Sequence, residues 1–184
     1  MENKLAKDLM VPLSEYATVS EDATLREAVA ALKQSQEDFD QAKYRHRAIL
    51  ILNKNHEIVG KVNFISILKA LEPKYDGMFS DRGPAHLGFT RKYQKKMFES
   101  LKLWQDPLDQ VCRKAAEIRV KTFMYIPKES EMIESDAPLG EAIHQLVLGH
   151  HQSLLVTQDK KVVGVLRLAD AVQVVSDLIL ACEF

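Results

Sequence analysis

An internal repeat constrains this 184-residue chain more than any other feature of its sequence. Ala6-Lys7-Asp8-Leu9-Met10-Val11-Pro12 recurs loosely as Val120-Lys121-Thr122-Phe123-Met124-Tyr125-Ile126-Pro127. Ser20-Glu21-Asp22-Ala23-Thr24-Leu25-Arg26-Glu27-Ala28 is echoed by Glu134-Ser135-Asp136-Ala137-Pro138-Leu139-Gly140-Glu141-Ala142. Met10 to Met124 and Glu27 to Glu141 are both steps of 114, so two well-separated pairs share one phase. The register then slips, and Gly60 matches Gly164 at a step of 104. The ten missing residues fall mostly between Leu32 and His46, where the second copy runs directly from Leu146 to His151.

Each copy reads the same way locally. Asp22 or Asp136 can accept from the orphan N–H groups that open a helix, and Pro138 suits a first turn. Leu25, Ala28, Val29 and Leu32 then recur at helical spacing, as do Leu139, Ala142, Ile143 and Leu146. Apolar, β-favouring runs follow at Ala48–Leu52 and Ser153–Val156, each closed by a polar turn. A second strand is expected over Ile58–Val62 and Val162–Leu166, and a closing helix over Phe64–Leu71 and Leu168–Leu180. The unit is β-α-β-β-α, about 60 residues, and too small to bury both faces of its sheet alone. Packing two units sheet to sheet solves that problem, which makes the chain an α/β protein.

Composition narrows the function. There are 25 basic and 26 acidic residues, a formal net charge of −1, which argues against binding nucleic acid through bulk charge. Cys112 and Cys182 stand far apart, so neither a disulfide framework nor a zinc cage is expected. No apolar run approaches the ~20 residues that span a bilayer, and the polar start of the chain shows no signal peptide. No membrane insertion and a cytoplasmic location are the expectations. Neither G-x-S-x-G, G-x-x-x-x-G-K-[ST] nor H-E-x-x-H occurs, so binding without turnover is the reading, and the protein is not expected to be an enzyme.

The repeated elements resemble the cystathionine β-synthase (CBS) domain in its tandem form, the Bateman module. The residues that carry this are Asp8-Leu9-Met10-x-Pro12, Ala23-Thr24-Leu25-x-Glu27-Ala28, and the turns into helices after Gly60 and Gly164. The resemblance covers roughly residues 5–73 and 119–182. It divides the chain into a first unit (1–73), a helical insert (74–118) and a second unit (119–184). It also implies a regulatory module that senses AMP, ADP, ATP or S-adenosylmethionine, with no required cofactor. Such a module associates as a homodimer and controls a separate effector protein.

Within the family, the second strand ends G-h-h-[ST]-x-x-D, where the acid receives the ribose hydroxyls and the hydroxyl residue lies near phosphate. An ionised carboxylate suits a cis-diol, and a helix N-terminus beside it suits phosphate. In the second unit, Gly164-Val165-Leu166-Arg167-Leu168-Ala169-Asp170 keeps the acid and puts Arg167 at the hydroxyl position. In the first, Asn63 and Ser66 stand at those two positions. His46-Arg47 resembles the phosphate-reaching His-Arg pair of the γ subunit of AMP-activated protein kinase, and His151 holds the matching place in the second unit. One complete site assembled across a shared cleft is expected, its adenine lying near Met124, Ile126, Pro127, Ile133 and Val165.

Plainer readings stand beside these. Asp170 also reads as a first-turn acid of the last helix, Arg167 as a surface residue, and His46 and Arg47 as charges guarding a strand edge. His144, His150 and His151 lack the further ligands of a metal site. In the insert, Tyr75 to Gly88 reads as a loop, Tyr93, Met97, Leu101 and Trp104 as a helical stripe, and Asp106-Pro107 as the start of another helix. That stripe is core or interface, a homodimer contact being the specific expectation. Residues 74–121 carry eleven basic against six acidic side chains, with Arg91, Lys92, Lys95 and Lys96 clustered. Such a run suits the wet face of a helix or an anionic partner. A ligand-free dimerisation and docking scaffold is the alternative function, and nucleic-acid binding through the insert is the weakest reading.

Overall fold

Strands that read as unbroken apolar runs need cover on both faces, and in the computed structural model each sheet has a helix layer on one side and the other sheet on the opposite side. The structure describes residues 4–38, 46–75 and 90–182; most of the Tyr75–Gly88 loop expected from sequence lies outside them. The first sheet contains β2 (Thr18–Ser20), β3 (Ala48–Leu52) and β4 (Ile58–Asn63), with β2 parallel and β4 antiparallel to the central β3. Helices α2 (Leu25–Asp38) and α3 (Phe64–Leu71) complete this unit. The second repeats the pattern with β5 (Met132–Glu134), α6 (Leu139–Leu148), β6 (Ser153–Gln158), β7 (Lys161–Arg167) and α7 (Leu168–Leu180).

Period-two alternation sorts the strand side chains between layers. In β3, Ile49 and Ile51 face Ala28 and Leu32 of α2, while Leu50 turns the other way. In β6, Leu154 and Val156 face Ala142 and Leu146 of α6, while Leu155 turns toward Leu50. Leu50, Leu155, Val165, Val11 and Tyr16 form the layer between the sheets.

The two units exchange their lead-in segments. The first lead-in forms α1 (Ala6–Leu9) and β1 (Val11–Pro12), and β1 edges the second unit's sheet, Val11 opposite Val165 and Pro12 opposite Gly164. The second lead-in crosses the other way, and Tyr125 exchanges 2.8 Å backbone hydrogen bonds with Lys61 of β4. The Leu139 N–H at the start of α6 donates to Lys4, and the Leu25 N–H of α2 donates to Ile118, each at 2.8 Å. Lys4 and Ile118 are again 114 apart, so the repeat is a repeat of contacts. The sequence divisions at 73 and 118 follow chain order. In space, residues 4–12 lie on the second sheet and residues 119–125 on the first.

This exchange explains the pairing of a lead-in methionine with a strand glycine. Met10 presses on Gly164 and Met124 on Gly60, so that a Cβ on Gly60 would come within 2.9 Å of Met124 Cγ. At Gly164 the obstruction includes backbone, since a Cβ would lie 2.7 Å from the Val11 carbonyl oxygen.

Helix α2 opens differently from the expectation. Its cap is Thr24, whose N–H donates to Glu27 Oε2 at 2.6 Å while the Glu27 N–H donates to Thr24 Oγ1 at 3.2 Å, a reciprocal capping box. Asp22 instead takes Lys121 Nζ at 2.6 Å and so ties the crossing segment to the first unit. Asp136 is exposed, and Pro138 is the capping residue of α6 without a side-chain bond.

After Pro73, the described part of the insert holds α4 (Arg91–Ser100) and α5 (Leu108–Ala116). Ala115 of α5 is core, packed against Leu25 and Ala70, while Leu108 at the start of the helix is exposed. Of the expected stripe, Tyr93 and Leu101 are exposed, Trp104 is half-buried, and Leu103 is buried beside it. Trp104 is fixed by its N–H to Glu72 Oε2 at 2.8 Å and its Nε1 to the Tyr75 hydroxyl at 3.0 Å. Among the described residues, no helix is long and apolar enough to cross a membrane.

The glycine contacts separate two otherwise similar variants. Gly164→Ala is expected to cost about 1–3 kcal/mol through overpacking against rigid backbone. Gly60→Ala should cost less, because the flexible Met124 side chain can turn aside. Urea midpoints of the two variants at unchanged m-value check the order.

Candidate functional site

Asp170 lies in the first turn of α7, three residues after Arg167, the capping residue of that helix. This spacing puts both on one side of the strand-to-helix turn. Arg167 Nε donates to Asp170 Oδ2 at 2.5 Å and its Nη2 donates to Oδ1 at 2.6 Å, a two-pronged ion pair. The side chains are 7% and 19% exposed. Arg167 is therefore no solvated surface residue, and both oxygens of Asp170 take the guanidinium.

Two side chains of the first unit lie within electrostatic range of this pair. His46, just before β3, is fully buried, and Tyr16, just before β2, is buried with its ring edge-on to the imidazole at 4.5 Å. Both feel the charges of Arg167 and Asp170. Burial, reinforced by the Arg167 charge, pushes the His46 pKa down to about 4, against smaller raising effects from the Glu15 backbone and Asp170. Burial pushes the Tyr16 hydroxyl up to about 12 despite Arg167. At neutral pH both rings are uncharged, and the junction holds one cation and one anion facing two neutral polar rings.

His46 of one unit thus interacts electrostatically with Arg167 and Asp170 of the other, and Val165 lies in the inter-sheet layer. Several expected members stand elsewhere. His151 folds its imidazole against Gly149 at the end of α6, and Arg47 is exposed. Ile126 is 67% exposed, and Pro127 follows it on the segment leaving the first unit. The lead-ins cross, so the segment paired with β7 is Val11–Pro12, while Tyr125, just before these two, pairs with Lys61 of β4. Ile133 is buried against Leu139 and Leu154 in the second unit's own core. Tyr16 is the residue that sequence reasoning missed. Its signal was its place directly after the first lead-in, which carries information only once the exchange is known.

The matching place in the first unit is built otherwise. Asn63 caps α3, accepting from the Ser66 N–H at 2.9 Å and the Ser66 hydroxyl at 3.1 Å, which consumes both expected ligands in local structure. Lys61, the counterpart of Val165, turns into the inter-sheet layer and donates to Glu131 Oε2 at 2.8 Å, with side-chain exposures of 8% and 5%. The Tyr125 hydroxyl donates to the other Glu131 oxygen. Burial pushes the Glu131 carboxyl up, but the Lys61 and Tyr125 hydrogen bonds outweigh it and hold it below the usual carboxylate range. A buried ion pair fills this side of the pseudo-symmetric arrangement, where the other side has Val165 and Val11. Among the described residues, no group of three or more His, Cys, Asp or Glu is placed to hold a metal.

The sequence model of the CBS domain matches residues 6–73 and 125–177, and the chain belongs to the CBS-domain family as a tandem pair. Solved structures share its fold at low identity. The protein MJ1004 from Methanocaldococcus jannaschii is 18% identical, with a TM-score of 0.58, over 95% of this chain and 60% of that one. The chain thus spans less than two thirds of that relative's length. CBSX2, a CBS-pair protein of Arabidopsis thaliana, solved in complex with AMP, is 16% identical with a TM-score of 0.59 over 95% of this chain and 97% of that one. A CBS domain-containing protein of unknown function from Bacillus anthracis is 15% identical, TM-score 0.59, over 95% and 94%. No curated protein sequence matches the chain.

The Lys61–Glu131 pair gives a sharp test of what fills the first unit's side. Lys61→Met alone leaves a buried carboxylate without its cation and is expected to cost about 3–5 kcal/mol. The double variant Lys61→Met/Glu131→Leu should recover most of that loss, as chemical denaturation of the single and double variants will show.

Proposed function

We propose that this tandem pair is a non-catalytic regulatory module that senses an adenosine-containing ligand, one per chain, at the junction of Asp170, Arg167, His46 and Tyr16. The observation that carries the reading is the convergence of a carboxylate and a guanidinium from one unit with two buried polar rings from the other. A carboxylate in that position suits ribose hydroxyls, and the fork beside the N-terminus of α7 suits phosphate. The buried Lys61–Glu131 pair supports a single site. A ligand touching both units favours whichever arrangement of the units it fits best, and that differential affinity is the signal.

Output to a separate effector protein passes through a homodimer in this reading. Helices α3 and α7 expose apolar side chains at matching repeat positions: Phe64, Ile65 and Leu68 on one, Val172 on the other, with Leu178 and Ile179 further along α7. These faces, rather than the stripe on α4, are the proposed two-fold contact.

AMP at a hundredfold excess over its Kd should stabilise the wild-type chain by about 2.7 kcal/mol, read as a rise in melting temperature. Asp170→Ala should remove the rise while leaving the unliganded protein folded. Absence of a shift with AMP, ATP and S-adenosylmethionine at millimolar concentration would favour the ligand-free scaffold. Leu68→Glu/Val172→Glu is expected to convert the dimer to monomer in light scattering, and a monomeric wild-type chain would sink the dimer reading.

A further inference from the structure

We infer that α4 is an interfacial helix that lays its apolar half on the surface of an anionic lipid bilayer, without crossing it. The helix carries none of the proposed sensing residues and lies outside both segments that match the CBS domain. It has no buried residue, and Tyr93, Phe98 and the C-cap Leu101 are 52%, 48% and 40% exposed. At about 3.6 residues per turn, Tyr93, Met97, Leu101, Gln94 and Phe98 succeed one another around one half of its circumference. Arg91, Lys95, Glu99, Lys92, Lys96 and Ser100 occupy the other half. A helix so divided, cationic on one side and Tyr, Met, Phe and Leu on the other, suits the boundary between lipid headgroups and acyl chains.

The root of α4 is fixed. Leu103, just beyond it, is buried, and its N–H donates to the Phe98 carbonyl at 3.1 Å. Lys102 and Trp104 take left-handed backbone, with φ of 51° and 54°, a conformation sparsely populated by residues with side chains. Lys74 Nζ holds that turn by donating to the Lys102 carbonyl at 2.7 Å, and the Trp104 N–H holds it by donating to buried Glu72. The body therefore grips the end of the helix and leaves both of its halves at the surface. Charge decides what meets them. Residues 91–102 carry five basic side chains and one acidic, a net of +4, whereas the rest of the chain carries 20 basic and 25 acidic, a net of −5. An anionic surface attracts α4 and repels the remainder, which orients the molecule with this helix foremost. Glu99 offsets little, since its 3.9 Å contact with Lys95 joins two exposed side chains. A nucleic acid engages the cations but offers nothing to Met97 and Leu101. A bilayer accommodates both, the apolar chains entering it while the long Lys and Arg stems reach its phosphates.

The test is co-sedimentation of the full chain with vesicles of phosphatidylcholine alone and of phosphatidylcholine mixed with phosphatidylserine. Wild type is expected to pellet with the mixed vesicles only, and to be released by high salt. Each cation near such a surface is worth roughly a fivefold gain in partition, so Lys92→Gln/Lys96→Gln should weaken binding by about 25-fold. Phe98→Asn leaves the charge untouched and should weaken binding by about tenfold through lost apolar burial. Both are surface changes, and their melting temperatures check that the fold is intact. Wild type remaining in the supernatant with the mixed vesicles overturns the inference. So does equal binding by wild type and Phe98→Asn, which reduces the interaction to plain charge attraction. An RNA oligonucleotide bound through Lys92 and Lys96, with no vesicle binding, overturns it too and assigns α4 to nucleic acid.

Discussion

Everything in this fold depends on a sheet of three or four short strands having two faces to keep dry. One face is served locally by the helices that follow in sequence. The other has no local solution, and the second copy of the unit supplies it through Leu50, Leu155 and Val165. Burial of such side chains is worth roughly 1.5–3 kcal/mol each, so the inter-sheet layer is a principal reason that the chain carries two copies.

The same layer decides where chemistry is possible. Two positions related by the repeat received opposite treatment: Val165 keeps one side apolar, while Lys61 with Glu131 and Tyr125 fills the other with a closed polar network. An ion pair of this kind contributes little net stability over an apolar isostere, yet each member binds the other to its place once present. The pseudo-symmetry of the backbone is accordingly broken in the side chains, leaving the ion pair of Arg167 and Asp170 at the second unit's helix start. There the carboxylate and guanidinium face His46 and Tyr16, uncharged because burial disfavours their ionised forms.

Much of this was legible in the sequence, for physical reasons. Strand and helix periodicities are local, so Ala48–Leu52, Phe64–Leu71 and Leu168–Leu180 agree with the expected boundaries. The repeat offset carried the two-unit architecture, and the acid at 170 with the base at 167 marked one strand-to-helix turn. Other features need long-range knowledge. That Val11 pairs with Val165, and that Tyr125, just before Ile126 and Pro127, pairs with Lys61, follows from the crossing of the lead-ins, which no local pattern encodes. Tyr16 and the Lys61–Glu131 pair were hidden for the same reason. The Asp22 cap failed on a smaller scale, where Thr24 with Glu27 offered a reciprocal pair and Asp22 found a lysine 99 positions away.

The crossing also sets what motions the pair permits. From Pro12 on one sheet to Thr18 on the other runs a strap of six peptide links, with a reach of at most about 21 Å. From Tyr125 back to Met132 runs a second strap of seven links, at most about 24 Å. Two short tethers running in opposite senses forbid the halves from gaping like a hinge. Sliding and rotation in the plane of contact are what remain, and Tyr16 rides on the shorter strap.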